Sequence, residues 1–283
     1  MGAIAFGLQL PIQSQSTIYV QPWEHDAGPA ELVQVARACE AAGFDYVAVC
    51  DHVAIPEAQA EAMSTEWWDT IATLAYLAAT TERVRLLSHV YVLPYRHPLV
   101  AAKAWATLDR LSGGRAILGV GAGHVAGEFA ALGVPFEERG RLLDEAIDAV
   151  RAALTSEGRQ RPQPVQSPLP IWVGGSSPAA MRRAGQRGDG WLPQGPPEGG
   201  MEAGIATVQK HRAASGRADE PFTIGALSGP LNLANPDKVA GYLRGYRDLG
   251  CDQVQVAFKS TSADDLCDQI ARFAAEVAPL VND

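Results

Sequence analysis

The feature that most constrains this chain is a repeated change of period. Short runs dense in Val, Ile and Leu are followed, eight times, by longer segments whose apolar residues recur at helical spacing. The expected strands are residues 3–10, 44–50, 84–92, 115–120, 170–173, 190–192, 222–227 and 253–258. The expected helices are residues 30–42, 67–80, 99–111, 139–154, 178–186, 203–214, 237–249 and 263–277. Strands that are apolar on both faces belong to a parallel sheet covered by helices. Eight β-then-α units favour closure into a (β/α)8 TIM barrel over an open doubly wound sheet. No linker divides the chain, and its 283 residues are expected to form one domain.

In such a barrel the loops that follow strands gather at one face, where chemistry is done. Three of these are long: 11–28, 51–66 and 121–138. The Gln- and Pro-rich stretch 160–168 follows a helix and is expected on the opposite, stabilising face. His25, His52, His89, His97 and His124 fall at strand ends or in loops after strands, whereas His211 falls in a helix. Asp51-His52 ends the second strand. In isolation that pair reads as a capped strand end with a surface histidine. At a barrel mouth the imidazole can act as acid or base near neutral pH, with Asp51 orienting it or touching a ligand. His124 ends another barrel strand and competes for the same role.

Two glycine turns bear on ligand binding. Gly119-Val120-Gly121-Ala122-Gly123 follows a strand, but His124 breaks the G-x-G-x-x-G spacing of a dinucleotide fingerprint. It reads as a tight barrel turn or, the preferred reading, as a place where a flat ligand approaches backbone at Gly121, Ala122 and Gly123. Gly174-Gly175-Ser176-Ser177-Pro178 runs from a buried strand into a helix start, with Ser177 suited to the N-cap and Pro178 to the first turn. Free N–H groups there cradle phosphate, and Arg182 and Arg183 one turn later are expected to add charge. Ser88, His89 and Val90, at the mouth end of the third strand, read from the sequence alone as core packing.

Other classes are disfavoured. A net charge of −9 without a basic block argues against nucleic acid. No H-x-H, H-E-x-x-H or Cys/His cluster is present, which argues against a metal-dependent barrel hydrolase. Cys39, Cys50, Cys251 and Cys267 form no C-x-x-C pair and are expected as free thiols in a reducing, cytoplasmic setting. The N-terminal residues lack the charged start of a signal peptide, and no apolar run is long enough to span a bilayer.

Longer motifs carry a family likeness. They are Gly43-Phe44-Asp45 leading to Asp51-His52, Arg83-Val84-Arg85-Leu86, and Leu93-Pro94-Tyr95-Arg96-His97-Pro98. Thr107-Leu108-Asp109-Arg110-Leu111-Ser112-Gly113-Gly114-Arg115 is the most distinctive. Leu118-Gly119-Val120-Gly121-Ala122-Gly123, Glu128-Phe129, Leu132-Gly133, Phe136, Arg139-Gly140, Pro170 through Ser176 and Gly188-Asp189-Gly190-Trp191 complete the set. Together they resemble the luciferase-like monooxygenase superfamily, in particular its coenzyme F420-dependent oxidoreductase branch. The resemblance implies hydride transfer between the deazaflavin and a small organic substrate, in a barrel that is often a homodimer. It implies that His52 lies beside the reactive carbon of the ring and Asp51 contacts the cofactor. It also implies a cis peptide at His89–Val90, next to Ser88, backing the ring, and a cofactor phosphate at Gly174, Gly175 and Ser176. His124 and Gly127 depart from the glutamate and asparagine of sugar-phosphate-oxidising relatives, and His89 is larger than the residue usual before the cis bond. The alternatives are an FMN-dependent monooxygenase and a barrel that binds the cofactor without turnover. An Ala-, Gly- and Arg-rich composition, as in GC-rich actinobacterial genomes where the deazaflavin is used, favours F420.

Overall fold

A computed structural model describes residues 2–17, 19–155 and 160–283; Met1 and Ile18, in the expected N-terminal segment and first long loop, lie outside the described residues. Among the described residues, nine strands occupy eight barrel positions. They are β1 (Ala5–Gln9), β2 (Tyr46–Val49), β3 (Arg85–Ser88), β4 (Tyr91–Val92), β5 (Ala116–Gly121), β6 (Ile171–Gly174), β7 (Gly190–Leu192), β8 (Thr223–Leu231) and β9 (Gln253–Phe258). All pairings are parallel. β1 joins β2 on one side and β9 on the other, β3 joins both β2 and β5, and β4 continues along β5, so the ring closes. The third strand expected over 84–92 is divided in two at a cis His89–Val90 peptide. β8 runs four residues beyond the expected 222–227, past an irregularity between Leu227 and Pro230.

The helices are α1 (Pro29–Ala41), α2 (Glu57–Met63), α3 (Thr70–Thr80), α4 (Pro98–Leu111), α5 (Ala126–Ala131), α6 (Arg139–Ala153), α7 (Pro178–Arg187), α8 (Gly200–Ala214), α9 (Pro236–Asp248), α10 (Ala263–Glu276) and α11 (Ala278–Asn282). Pro opens α1, α4, α7 and α9, where its missing N–H would have had no helical partner. Side chains of Asp69, Ser177, Asn235 and Ser262 cap the starts of α3, α7, α9 and α10. The Asp69 cap explains why α3 begins at Thr70 and not at 67. Trp67 lies in extended backbone bridged to Ser14 of the first loop. The short helices α2 and α5 sit inside two loops that the sequence reading left without regular structure.

The barrel has two packed layers. Outward strand residues such as Phe6, Leu8, Val47, Val49, Leu86, Leu118 and Val173 pack under the helices. Inward residues Tyr46, Ala48, Leu87, Ile117, Trp172 and Leu192 fill the interior. Tyr46 and Trp172 meet edge to face at 6.1 Å. Their size is accommodated by glycine: a Cβ on Gly7 would lie 2.1 Å from the Tyr46 ring, and one on Gly190 would lie 2.5 Å from the Trp172 ring. The interior is therefore plugged, and only the ends of the strands are open for chemistry.

The distinctive 107–115 motif lies at the other end. Asp109 is fully buried and accepts hydrogen bonds from the N–H groups of Ala116, Val165 and Gln166 and from the Gln166 side chain. The guanidinium of Arg115 donates to Ser112, Ala78, Thr81 and Val84. The motif ties the 160–168 stretch to β5 and α3 to β3, so its role is to hold elements together. Asp109→Ala would leave three backbone donors, one of them on buried Ala116, and the Gln166 amide without their acceptor. We expect it to cost about 3 kcal/mol or more of stability, read as a lower urea midpoint at unchanged slope. A loss below about 1 kcal/mol would contradict this account.

Candidate active site

Side chains alternate along β2, so the residues that follow it diverge. Asp51 turns away from the barrel interior, 3% exposed. Its carboxylate is gripped by both terminal nitrogens of Arg96 and accepts from Val92 N–H at 2.7 Å and the Thr70 hydroxyl at 3.1 Å. Arg96 also stacks on the Tyr91 ring at 4.1 Å. With that many donors the Asp51 carboxylate is committed to the scaffold. It makes no hydrogen bond to His52 among the described residues, so the expected role of orienting that ring does not fall to Asp51.

The partner of His52 is instead Glu128, on α5. His52 Nδ1 lies 2.7 Å from Glu128 Oε2, with the carboxylate fully buried. Glu128 Oε1 accepts from the N–H groups of Val53 and Ala54 at 2.5 and 3.0 Å, and Oε2 accepts from the Tyr95 hydroxyl at 3.0 Å. Burial by itself would raise the Glu128 pKa. The bonds from His52 and from the Val53 and Ala54 N–H groups outweigh it and hold the pKa down to about 2. The carboxylate is therefore ionised at any working pH. The His52 ring packs against Trp67 at 4.2 Å between centroids. Trp67 is itself fixed by its indole N–H, which is shared between the Met63 and Ser64 carbonyls.

His124 stands 5.7 Å from His52, ring edge to ring face. Its side chain reaches the surface. The protein packed round its ring lowers its pKa, and His52 adds to that. The two histidines that the sequence set in competition are thus neighbours in one site, and only His52 has a carboxylate behind it.

The remaining expected contacts divide by what their atoms already do. Ser88 is buried, with its hydroxyl on the Gly119 carbonyl at 2.8 Å, so it serves the strand and not the mouth. His89 Nδ1 lies 3.0 Å from Gln255 Oε1 on β9, and burial lowers the His89 pKa. Val90 fills the room left by two glycines: a Cβ on Gly121 or on Gly174 would lie 2.4 Å from its methyl groups. At Gly123 the same room is taken by Val92 and Phe129, and Ala122 packs against the main core. The absent side chains of this turn therefore make room for protein side chains.

Gly175 has φ +111°, and its N–H is taken by the Leu192 carbonyl at 2.9 Å. The Ser176 hydroxyl bonds the Gly195 carbonyl at 2.6 Å. Among the described residues, the N–H groups of Ser176, Ser177 and Ala179 make no hydrogen bond, which leaves three donors at the start of α7. Arg182 and Arg183 do not add charge there. Both point to Asp144 on α6.

Sequence reasoning missed Glu128, Tyr95, Arg96 and Trp67 as site residues. Glu128-Phe129 and Tyr95-Arg96 were visible as family motifs, but nothing in local spacing ties position 128 to position 52. No cluster of three or more His, Cys, Asp or Glu side chains able to hold a metal occurs among the described residues. No described helix is long and apolar enough to cross a membrane.

Comparison with known proteins gives this geometry its setting. An uncharacterized protein of Mycobacterium tuberculosis is 33% identical over 69% of this chain and 76% of its own length. An F420-dependent glucose-6-phosphate dehydrogenase of Amycolatopsis mediterranei is 33% identical over 58% of this chain and 53% of its own length. The crystal structure of the monooxygenase RslO1 from Streptomyces bottropensis shares the fold, with a TM-score of 0.73 over 98% of this chain and 99% of that one at 20% identity. Residues 4–253 match the family described as luciferase-like monooxygenase, and the chain belongs to that family of oxidoreductases.

Proposed function

We propose that this protein transfers a hydride between coenzyme F420 and a small organic substrate, with His52 as the group that exchanges the accompanying proton. The observation that carries this reading is a carboxylate-backed histidine at the end of β2, facing a second histidine at the mouth of a plugged barrel. The similarity to an F420-dependent dehydrogenase supports the choice of cofactor. The barrel mouth suits a phosphate-bearing ring cofactor. Three unpartnered N–H groups at the start of α7 match its phosphate, and Val90, seated on Gly121 and Gly174, offers an apolar surface for a ring. Bound there, the deazaflavin would supply two-electron hydride chemistry. With the hydride passing between substrate and that ring, His52 would take up the O–H proton released when an alcohol carbon is oxidised and return it in the reduction.

The cofactor assignment is tested by equilibrium titration. F420 should bind at least about tenfold tighter than FMN, a gap of about 1.4 kcal/mol. It should also bind tighter than its phosphate-free, riboflavin-level fragment. Truncating the ligand is the cleaner test of the α7 turn, because a side chain at Gly175 would be strained by its positive φ whatever it does to binding. Equal affinity for the fragment would move the phosphate elsewhere. Tighter FMN binding with oxygen uptake on reduction would support an FMN-dependent monooxygenase instead.

The assignment of His52 is tested by single-turnover kinetics, which isolate chemistry from product release. His52→Ala should slow hydride transfer by about 10²–10⁴-fold while changing cofactor affinity little. His124→Ala, which removes a histidine without a carboxylate partner, should cost less. The reverse order would give the proton-transfer role to His124.

A further inference from the structure

We propose that Glu128 is the positioning residue of this site, fixing His52 as the tautomer protonated at Nδ1 so that Nε2 is the nitrogen that exchanges protons with substrate. The argument is a count of donors and acceptors, and it rests on the reading of His52 given above. The Val53 and Ala54 N–H groups can only donate, so the oxygen they share, Oε1, must accept. The carboxylate is ionised, so Oε2 also only accepts, and the His52 nitrogen 2.7 Å away must carry a hydrogen. A neutral imidazole protonated at Nδ1 has its lone pair on Nε2. That nitrogen makes no protein hydrogen bond among the described residues and is not sealed from solvent. His89 shows the contrast: its Nδ1 is also bound, but its Nε2 is buried without a partner and out of reach. The other charged and titratable groups facing the dyad are the Tyr95 hydroxyl, on the same carboxylate oxygen, and His124, across the ring.

The same count predicts what an isosteric change does. In Glu128→Gln the two backbone N–H groups select the amide oxygen at the Oε1 position. The amide NH2 is then turned toward His52 and donates to Nδ1. His52 must take the opposite tautomer, with the hydrogen on Nε2, in a site of unchanged shape. A base is converted into a nitrogen that cannot accept a proton without first losing one. This is the logic by which an aspartate-to-asparagine change disables the histidine of a serine-protease triad while leaving its geometry intact.

The test reads the tautomer directly by two-bond ¹H–¹⁵N correlation on ¹⁵N-histidine-labelled protein, with no cofactor added and His52 assigned by its loss in His52→Ala. Near pH 8 the wild-type protein should show a protonated Nδ1 and a bare Nε2. Glu128→Gln should show the reverse, and Tyr95→Phe, which removes one donor and leaves the other three, should keep the wild-type pattern. With cofactor and a turned-over substrate, Glu128→Gln should slow single-turnover hydride transfer by about 10²–10⁴-fold, with cofactor affinity held within about twofold. A wild-type protein with the hydrogen on Nε2 overturns the proposal before any variant is made. So does a Glu128→Gln spectrum like that of the wild type, or an inverted tautomer at full hydride-transfer rate. Because the spectra need no cofactor, they stand or fall apart from the F420 assignment.

Discussion

The site depends on one buried carboxylate. Glu128, on its own helix after β5, collects four donors from two other segments: His52, Val53 and Ala54 after β2, and Tyr95 after β4. A fully buried carboxylate stays ionised only if donors match both its oxygens, and removing either donor segment leaves it short. The requirement works in both directions. The loops are held in register by Glu128, and Glu128 stays ionised because the loops are in register. Among the described residues, the His52 ring keeps one nitrogen, Nε2, without a protein partner and not sealed from solvent, in a cluster whose other polar atoms are bonded.

The barrel beneath makes this precision possible by being full. Tyr46 and Trp172 occupy the space that Gly7 and Gly190 leave, and Leu87, Ile117 and Leu192 close the rest. A close-packed, weakly compressible interior holds the strand ends at fixed spacing. There the Asp109 and Arg115 networks tie loops and helices together without reaching the mouth. The same division explains the glycines. Several that a motif search would assign to a ligand are positions where a neighbouring side chain needs the room.

The architecture was legible because it is written in short-range periodicities. Alternating strand and helix periods, prolines at helix starts and capping Ser, Asn and Asp give each β–α unit locally, and eight such units leave few ways to close. The cis peptide at His89–Val90 is expected from family likeness, but the division of the third strand into β3 and β4 is not, since Val84 through Val92 reads as one apolar run. At the site, strand ends placed His52 and His124 correctly at the mouth. The partner of His52 was not legible. Glu128 lies 76 residues away on a six-residue helix within a loop that carries no periodic signal of its own. A pairing of that kind is decided by how loops fold over a barrel, which no local pattern encodes.

Asp51 shows why nearness in sequence misleads here. It adjoins His52 and carries a well-bonded carboxylate, so the sequence makes it the natural candidate to orient the ring. Beyond the end of β2, however, the two side chains find different partners: Asp51 meets Arg96 and the Val92 N–H, and His52 meets Glu128. Asp51 acts further back. By holding Arg96 and the Val92 N–H it fixes the single turn Leu93–Tyr95 that follows β4. That turn presents the Tyr95 hydroxyl to Glu128, and Glu128 in turn holds His52. The two carboxylates therefore stand in series. One sets the backbone that delivers a donor, and the other uses that donor to hold the ring. The path from Asp51 to the histidine beside it runs through Arg96, Tyr95 and Glu128.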